Sequence, residues 1–163
     1  MAPANPRTLF FLAVIACLGL IGGALYLEHG VGLEPCPLCI VQRVCVMLFA
    51  LVCLVAALHG PARLGRRIYG GLTLLIALAG AATAWRQIWL QSVPVDEGDA
   101  CLPPLEHLID ALSLREVLSL AFHGTSDCTA LSWSLYGMSL PEWSLLAFAG
   151  MILFSLFQIL RRG

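Results

Sequence analysis

The chain is 163 residues long, and 60 % of its residues are hydrophobic whereas only 12 % are charged. An average soluble domain is about 25 % charged, so this chain has too little charge to cover a water-facing surface, and its mean hydropathy of +0.88 agrees. Its net charge of -1 also lacks the basic surplus that is typical of nucleic-acid-binding proteins. The composition excludes a soluble enzyme, a disordered chain and a nucleic-acid binder, and it indicates a protein that lies in a membrane.

Four apolar windows are long enough to cross a bilayer, which takes about 20 mostly apolar residues in a helix. These windows cover approximately residues 9–27, 40–58, 68–90 and 143–160. The first window has a single Arg7 before it and no clear cleavage site after it, which favours a retained helix over a signal peptide. We predict an all-α fold: one integral membrane domain formed by a four-helix bundle.

The arginines predict how the bundle is oriented, because the chain has no lysine. Outside the spans, every arginine except Arg115 falls on one side of the predicted membrane: Arg7, Arg63, Arg66, Arg67, Arg161 and Arg162. All ten acidic residues fall on the other side. The positive-inside rule therefore places both termini on the cytoplasmic side of the membrane. The segments 28–39 and 91–140 then lie outside.

The seven cysteines form two groups. Three lie within the spans, where cysteine usually acts as a small hydrophobe: Cys17, Cys45 and Cys53. Four lie in the predicted outer segments, where the compartment allows disulfides to persist: Cys36, Cys39, Cys101 and Cys128. A zinc site is disfavoured because such sites use two closely spaced pairs, and the last two cysteines lie 27 residues apart. We predict no metal, and inert disulfides and redox-active ones stay open as alternatives.

The C-x-x-C stretch of residues 36–39 has the spacing of redox-active pairs. Pro37 favours the first turn of a helix, and the positive end of the helix dipole there stabilises a thiolate. Arg43 follows Cys39 by about one turn, so it can lie on the same face. A cation just inside a membrane indicates function, although snorkelling to the headgroups is the alternative. The pattern favours electron transfer to a lipid-soluble acceptor.

The segment 91–140 is too long to be a simple connector. Apolar residues recur there at helical spacing: Leu105, Leu108, Ile109 and Leu112. We predict a short helix, or two, on the membrane surface, and packing on the bundle is an equal alternative. A disulfide between Cys101 and Cys128 would either be presented to an outside protein or staple the loop.

The sequence resembles the disulfide bond formation protein B (DsbB) family of bacterial thiol:quinone oxidoreductases over its whole length. The matching motifs are CPLCIVQR at 36–43, SDC at 126–128, Trp133 and GMSLPEW at 137–143. The order of the cysteines supports this, because the related vitamin K epoxide reductases carry their loop cysteines before the C-x-x-C pair.

The resemblance implies four transmembrane helices around a quinone, either ubiquinone or menaquinone. It implies that Cys36 and Cys39 form the quinone-coupled pair, with Cys39 touching the quinone. It implies that a Cys101–Cys128 disulfide oxidises a soluble thioredoxin-fold partner of DsbA type. Cys101 would enter the mixed disulfide, and Cys128 would pass the electrons on by attacking Cys36.

The resemblance also implies a set of quinone-binding residues. Arg43 matches the position that the family uses beside the quinone, and Gln91 matches a quinone-site position at the end of the third span. At a neighbouring position some members carry a histidine, where this chain has Arg86 and Gln87. Gln87 and Arg86 are the alternatives for the hydrogen-bond donor, and the predicted set is Arg43, Gln87 and Gln91.

Two other functions compete with this one. A membrane scaffold would use its outer disulfides only to stiffen loops. A transporter or metal-handling protein is disfavoured because the spans hold few ionisable groups and the four histidines are scattered: His29, His59, His107 and His123. An oxidase dedicated to one special thiol partner is a variant of the first hypothesis that the sequence does not separate.

Overall fold

The computed structural model describes residues 5–32, 37–92, 134–135 and 137–161. Four long helices account for nearly all of them: α1 (Pro6–Val31), α2 (Pro37–His59), α3 (Arg63–Ser92) and α4 (Leu140–Leu160). Even the 21-residue α4 is about 31 Å long at 1.5 Å per residue, which matches the hydrocarbon core of a bilayer. All four are apolar enough to cross a membrane. The prediction of four helical spans is confirmed.

The first three helices extend beyond their apolar windows at both ends, and α4 does so at its start. The largest difference is in α3, which begins at Arg63 whereas its predicted span begins at residue 68. Hydropathy marks only the part of a helix that lies in lipid, while its backbone hydrogen bonds continue into the polar flanks. The predicted surface helix of the segment 91–140 lies outside the described residues.

Two two-residue strands precede α4 and were not predicted. In β1 (Ser134–Leu135) and β2 (Met138–Ser139), Ser134 is paired with Ser139 in an antiparallel ladder. Ser139 then caps α4, because Glu142 Oε2 accepts hydrogen bonds from the Ser139 backbone N–H and hydroxyl. This reciprocal capping box fixes where the last helix begins.

Neighbouring helices in the sequence pack against each other: α1 on α2, α2 on α3, and α3 on α4. The core contains three fully buried phenylalanines, Phe10, Phe49 and Phe148. The Phe10 ring of α1 meets Phe154 of α4 edge to face, with centroids 5.7 Å apart, and so closes the bundle. Cys17 and Cys53 lie in this core as small hydrophobes, as predicted.

Arginines occupy one end of the bundle, where α1 and α3 begin and α2 and α4 end. Arg7 donates hydrogen bonds to the carbonyls of Ala57 and Leu58 at the end of α2. Arg66 donates to the Arg161 carbonyl at the end of α4, at 2.6 Å. Cations stabilise helix C-termini because the last carbonyls are unpaired and carry partial negative charge. We call this the arginine-rich end and the opposite end, which begins α2, the Cys39 end.

The most extensive contact between helices is that of α3 with α4. A methyl group at Gly80 of α3 would overlap the ring of Phe148, which is buried in α4. The Ser155 hydroxyl of α4 also donates to Thr73 Oγ1 of α3 at 3.0 Å. Small residues with interhelical hydrogen bonds are the usual means by which membrane helices pack.

We expect Gly80→Ala to destabilise the bundle, because the added methyl group forces the Phe148 ring to move. Overpacking of a core typically costs about 1–3 kcal/mol. Thermal unfolding in detergent measures the effect. Gly71→Ala is the matched control on the same helix, since a Cβ there meets nothing within 4 Å. Equal unfolding midpoints for the two variants would contradict the packing described here.

Candidate redox site

Cys39 lies in the first turn of α2, at the Cys39 end of the bundle. Its side chain is half-buried and packs against Leu38, which is only 1 % exposed and which Leu90 of α3 also packs against. The sulfur is thus held in apolar surroundings at the N-terminal end of a helix long enough to cross the membrane. A thiolate at this place is stabilised by the helix dipole.

A glutamine from the neighbouring helix contacts the sulfur. Gln87 of α3 places its Nε2 3.3 Å from Cys39 Sγ. Gln42 of α2, one turn beyond Cys39, donates from its own Nε2 to Gln87 Oε1 at 2.7 Å. Both glutamines are nearly fully buried: Gln42 is 5 % exposed and Gln87 is 4 % exposed. The three residues form one polar cluster between α2 and α3.

Arg43 is part of an ion pair at the same end. Its Nη1 lies 2.5 Å from Glu28 Oε2, and both side chains are about a quarter exposed, at 21 % and 27 %. The pair joins the last turns of α1 to the start of α2. A guanidinium has five N–H donors, so Arg43 retains donors beyond the one that meets Glu28.

The structure places the sequence-predicted residues unequally. It brings Gln87 to Cys39, and Gln91 lies one helical turn beyond Gln87 on the same face of α3. Arg86 is half-buried, and its Nε has no hydrogen-bond partner among the described residues. Of the two candidates for the histidine's place, Gln87 is therefore the one at the sulfur. The roles of Arg43, Gln87 and Gln91 toward a quinone stay predictions.

Cys36, Cys101 and Cys128 lie outside the described residues. Their disulfide pairing and their order in a relay therefore stay predictions.

Sequence reasoning missed Glu28 and Gln42 as members of the site. Glu28 was only one of ten acidic residues on the predicted outer side. A cation at the membrane boundary needs a partner, and an acid in the last turn of the preceding helix is the nearest choice. Gln42 and Gln87 are isolated amides at the same depth of two apolar spans, and that coincidence could have indicated a contact.

Comparison with known proteins shows the family of the chain. The family model described as disulfide bond formation protein DsbB matches residues 6–158. The chain is 57 % identical over 162 residues to disulfide bond formation protein B of Stutzerimonas stutzeri, covering 99 % of both chains. The chain belongs to the disulfide bond formation protein B family.

Other members of the family are similar over nearly their full length. Disulfide bond formation protein B 1 of Pseudomonas aeruginosa is 56 % identical over 163 residues, which is 100 % of both chains. The relative from Marinobacter nauticus is 46 % identical over 156 residues, 96 % of this chain and 93 % of that one. The predicted family is confirmed, and the chain is a multi-pass membrane protein of a family that forms disulfide bonds.

We expect Leu38→Ala to lower the stability of the Cys39 end, because it removes a fully buried side chain next to the sulfur. Truncation of a buried leucine to alanine costs about 2–5 kcal/mol. Thermal unfolding in detergent measures this loss. Leu58→Ala is the control, since Leu58 is 71 % exposed on the lipid-facing surface of the same helix. A loss of stability in Leu58→Ala as large as that in Leu38→Ala would contradict the packing described around Cys39.

Proposed function

We propose that the chain is a thiol:quinone oxidoreductase that reoxidises a periplasmic DsbA-type dithiol oxidase and so sustains disulfide bond formation. The observation that carries the proposal is the position of Cys39. Its sulfur lies in an apolar cluster at the end of a membrane-spanning helix and contacts a buried amide N–H donor at 3.3 Å. Such a sulfur is suited to an electron acceptor that is dissolved in the lipid.

The proposed relay has two disulfides. The reduced partner attacks the Cys101–Cys128 disulfide at Cys101, and the partner leaves as a disulfide while Cys101 and Cys128 become thiols. The Cys128 thiolate then attacks Cys36, the Cys36–Cys39 bond breaks, and its electron pair leaves on Cys39. Re-formation of the two disulfides requires the removal of two electrons and two protons in each cycle.

The residues at the Cys39 end fit a quinone. A quinone has a flat apolar ring and two carbonyl acceptors, and this end offers apolar contacts from Leu38 and Leu90 together with donors on Arg43 and Gln91. When bound, ubiquinone or menaquinone supplies the two-electron acceptor. A strong acceptor is needed because a DsbA-type partner is itself a strong oxidant. If the reduction potential of the acceptor lies 30 mV below that of the partner, the transfer of two electrons costs about 1.4 kcal/mol.

Arg43 supplies positive charge where negative charge develops as Cys39 gives up electrons. Such fixed charges act strongly at a site from which water is excluded. Its ion pair with Glu28 holds the guanidinium at the start of α2, within about one turn of Cys39.

We also propose the orientation in the bacterial inner membrane. The arginine-rich end then faces the cytoplasm with both termini, and the Cys39 end faces the periplasm. Support comes from the arginines at the arginine-rich end, which donate hydrogen bonds to the last carbonyls of α2 and α4. The whole chain is proposed to form one membrane domain.

Purified protein should reduce ubiquinone, followed by quinone absorbance, when a reduced DsbA-type partner is added. Cys36→Ser should abolish the reaction, because the leaving Cys39 thiolate forms only when the bond between the two sulfurs breaks. Failure of the unaltered protein with both ubiquinone and menaquinone would favour a scaffold whose disulfides only stiffen its loops.

We expect Arg43→Ala to raise the KM for quinone roughly tenfold, because loss of a hydrogen bond from a charged group costs about 1.5 kcal/mol or more. Steady-state quinone reduction measures this effect, and oxidation of the partner by the outer disulfide in a single turnover should be unchanged. Glu28→Gln is the matched variant, since it removes the ion pair but keeps the cation. An unchanged KM in Arg43→Ala would contradict the role of Arg43.

A further inference from the structure

Gln42 and Gln87 are buried amides that meet across two helices in an apolar environment. A buried polar group without a partner is costly, and the hydrogen bond from Gln42 Nε2 to Gln87 Oε1, at 2.7 Å, supplies one. The sulfur of Cys39 lies next to this pair and not between its members. The hydrogen bond between the glutamines therefore does not involve the sulfur. It does fix which way the Gln87 amide is turned toward the sulfur.

The direction of this hydrogen bond decides which end of Gln87 faces the sulfur. A carboxamide has an oxygen that only accepts and an NH₂ group that only donates. Because Gln87 Oε1 accepts from Gln42, the NH₂ end of Gln87 is the end nearer to Cys39, with Nε2 3.3 Å from Sγ. The Cys39 thiol also donates to Gln87 Oε1 at 3.8 Å. A thiolate has no proton to donate, so once the sulfur is ionised only the N–H donor at Nε2 stabilises it. If Gln87 were turned over, its oxygen would be the nearer atom and would repel a thiolate.

We propose that Gln42 is a positioning residue for the redox reaction, acting through Gln87 to aim an N–H donor at the Cys39 sulfur. This rests on the proposed function and adds a residue to it. In the step in which Cys128 bonds to Cys36, the Cys36–Cys39 bond breaks and Cys39 leaves with the electron pair as a thiolate. A hydrogen bond donated to that sulfur stabilises the leaving group, and a more stable thiolate leaves faster.

The donor in this arrangement carries no charge and does not titrate. A histidine in the place of Gln87 would change its charge between about pH 5 and 8, whereas an amide donates equally across that range. Besides Cys39, the described charged or titratable groups at this end are Tyr26, Glu28, His29, Arg43, Arg86 and Glu142. They are the same in every variant used below, so differences between the variants report on the two glutamines.

The test is the pH dependence of Cys39 alkylation in the full-length chain carrying Cys36→Ser, followed at the Cys39 peptide by mass spectrometry. Gln42→Met removes the hydrogen bond at similar side-chain length and without a charge. We expect the midpoint of the alkylation profile to move up by roughly half a pH unit to one unit, the size expected for a weakened hydrogen bond to a charged group.

A double-mutant cycle separates positioning from a direct effect. Gln87→Met should move the midpoint up by about one unit, and adding Gln42→Met to it should cause no further shift. The proposal is overturned if Gln42→Met leaves the midpoint unchanged, or if the two shifts add. Gln158→Met is the control: Gln158 is fully buried in α4, near the arginine-rich end, and its loss should leave the midpoint in place.

A second variant covers the case in which methionine at position 42 prevents folding. Gln42→Asn keeps the amide but withdraws it by one methylene, so it should shift the midpoint in the same direction by a smaller amount. The assay needs neither quinone nor partner. A shifted midpoint with no quinone reduction by the unaltered protein would reject the proposed function alone, and normal quinone reduction with no shift would reject only the positioning role.

Discussion

Lipid provides no hydrogen bonds, and this constraint governs how the paired polar groups of the four helices are arranged. A buried donor or acceptor is stabilised by a partner on another helix or on its own backbone. Gln42 meets Gln87, Ser155 meets Thr73, and Arg66 meets a helix-terminal carbonyl. Each of these contacts also joins two elements that are far apart in the sequence. These hydrogen bonds therefore avoid the cost of burying unpaired polar groups, and they also help to set which helix faces meet.

The two ends of the bundle use charge in opposite ways. At the arginine-rich end, cations lie against the carbonyls that end α2 and α4, where the helix dipole favours them. At the Cys39 end the cation Arg43 is matched by Glu28, and α2, which begins there, presents its positive pole to the sulfur. The helix terminus therefore supplies partial positive charge at Cys39, while the charge of Arg43 is balanced by Glu28. This arrangement suits a reaction in which a thiolate forms at the edge of the lipid.

Burial around Cys39 has a chemical consequence as well as a structural one. The half-buried Cys39 packs against Leu38, so the interactions of the sulfur with Gln87 and with the helix terminus are screened less than they would be in bulk water. A thiol exposed to water would gain little from one amide donor. Packing and electrostatics at this site thus depend on each other, and the α2–α3 contact provides both.

The sequence by itself determined the number of spans, the segregation of arginines from acids and the redox spacing of Cys36 and Cys39. These follow from local composition and from bilayer thickness, and they need no knowledge of which helices touch. It could not determine the partners of Gln87 and Arg43, which lie 45 and 15 residues away. Such contacts depend on the rotation of each helix about its axis and on its vertical register, which only packing of the core residues sets. The tertiary structure therefore decided that Gln87, and not Arg86, lies at the sulfur.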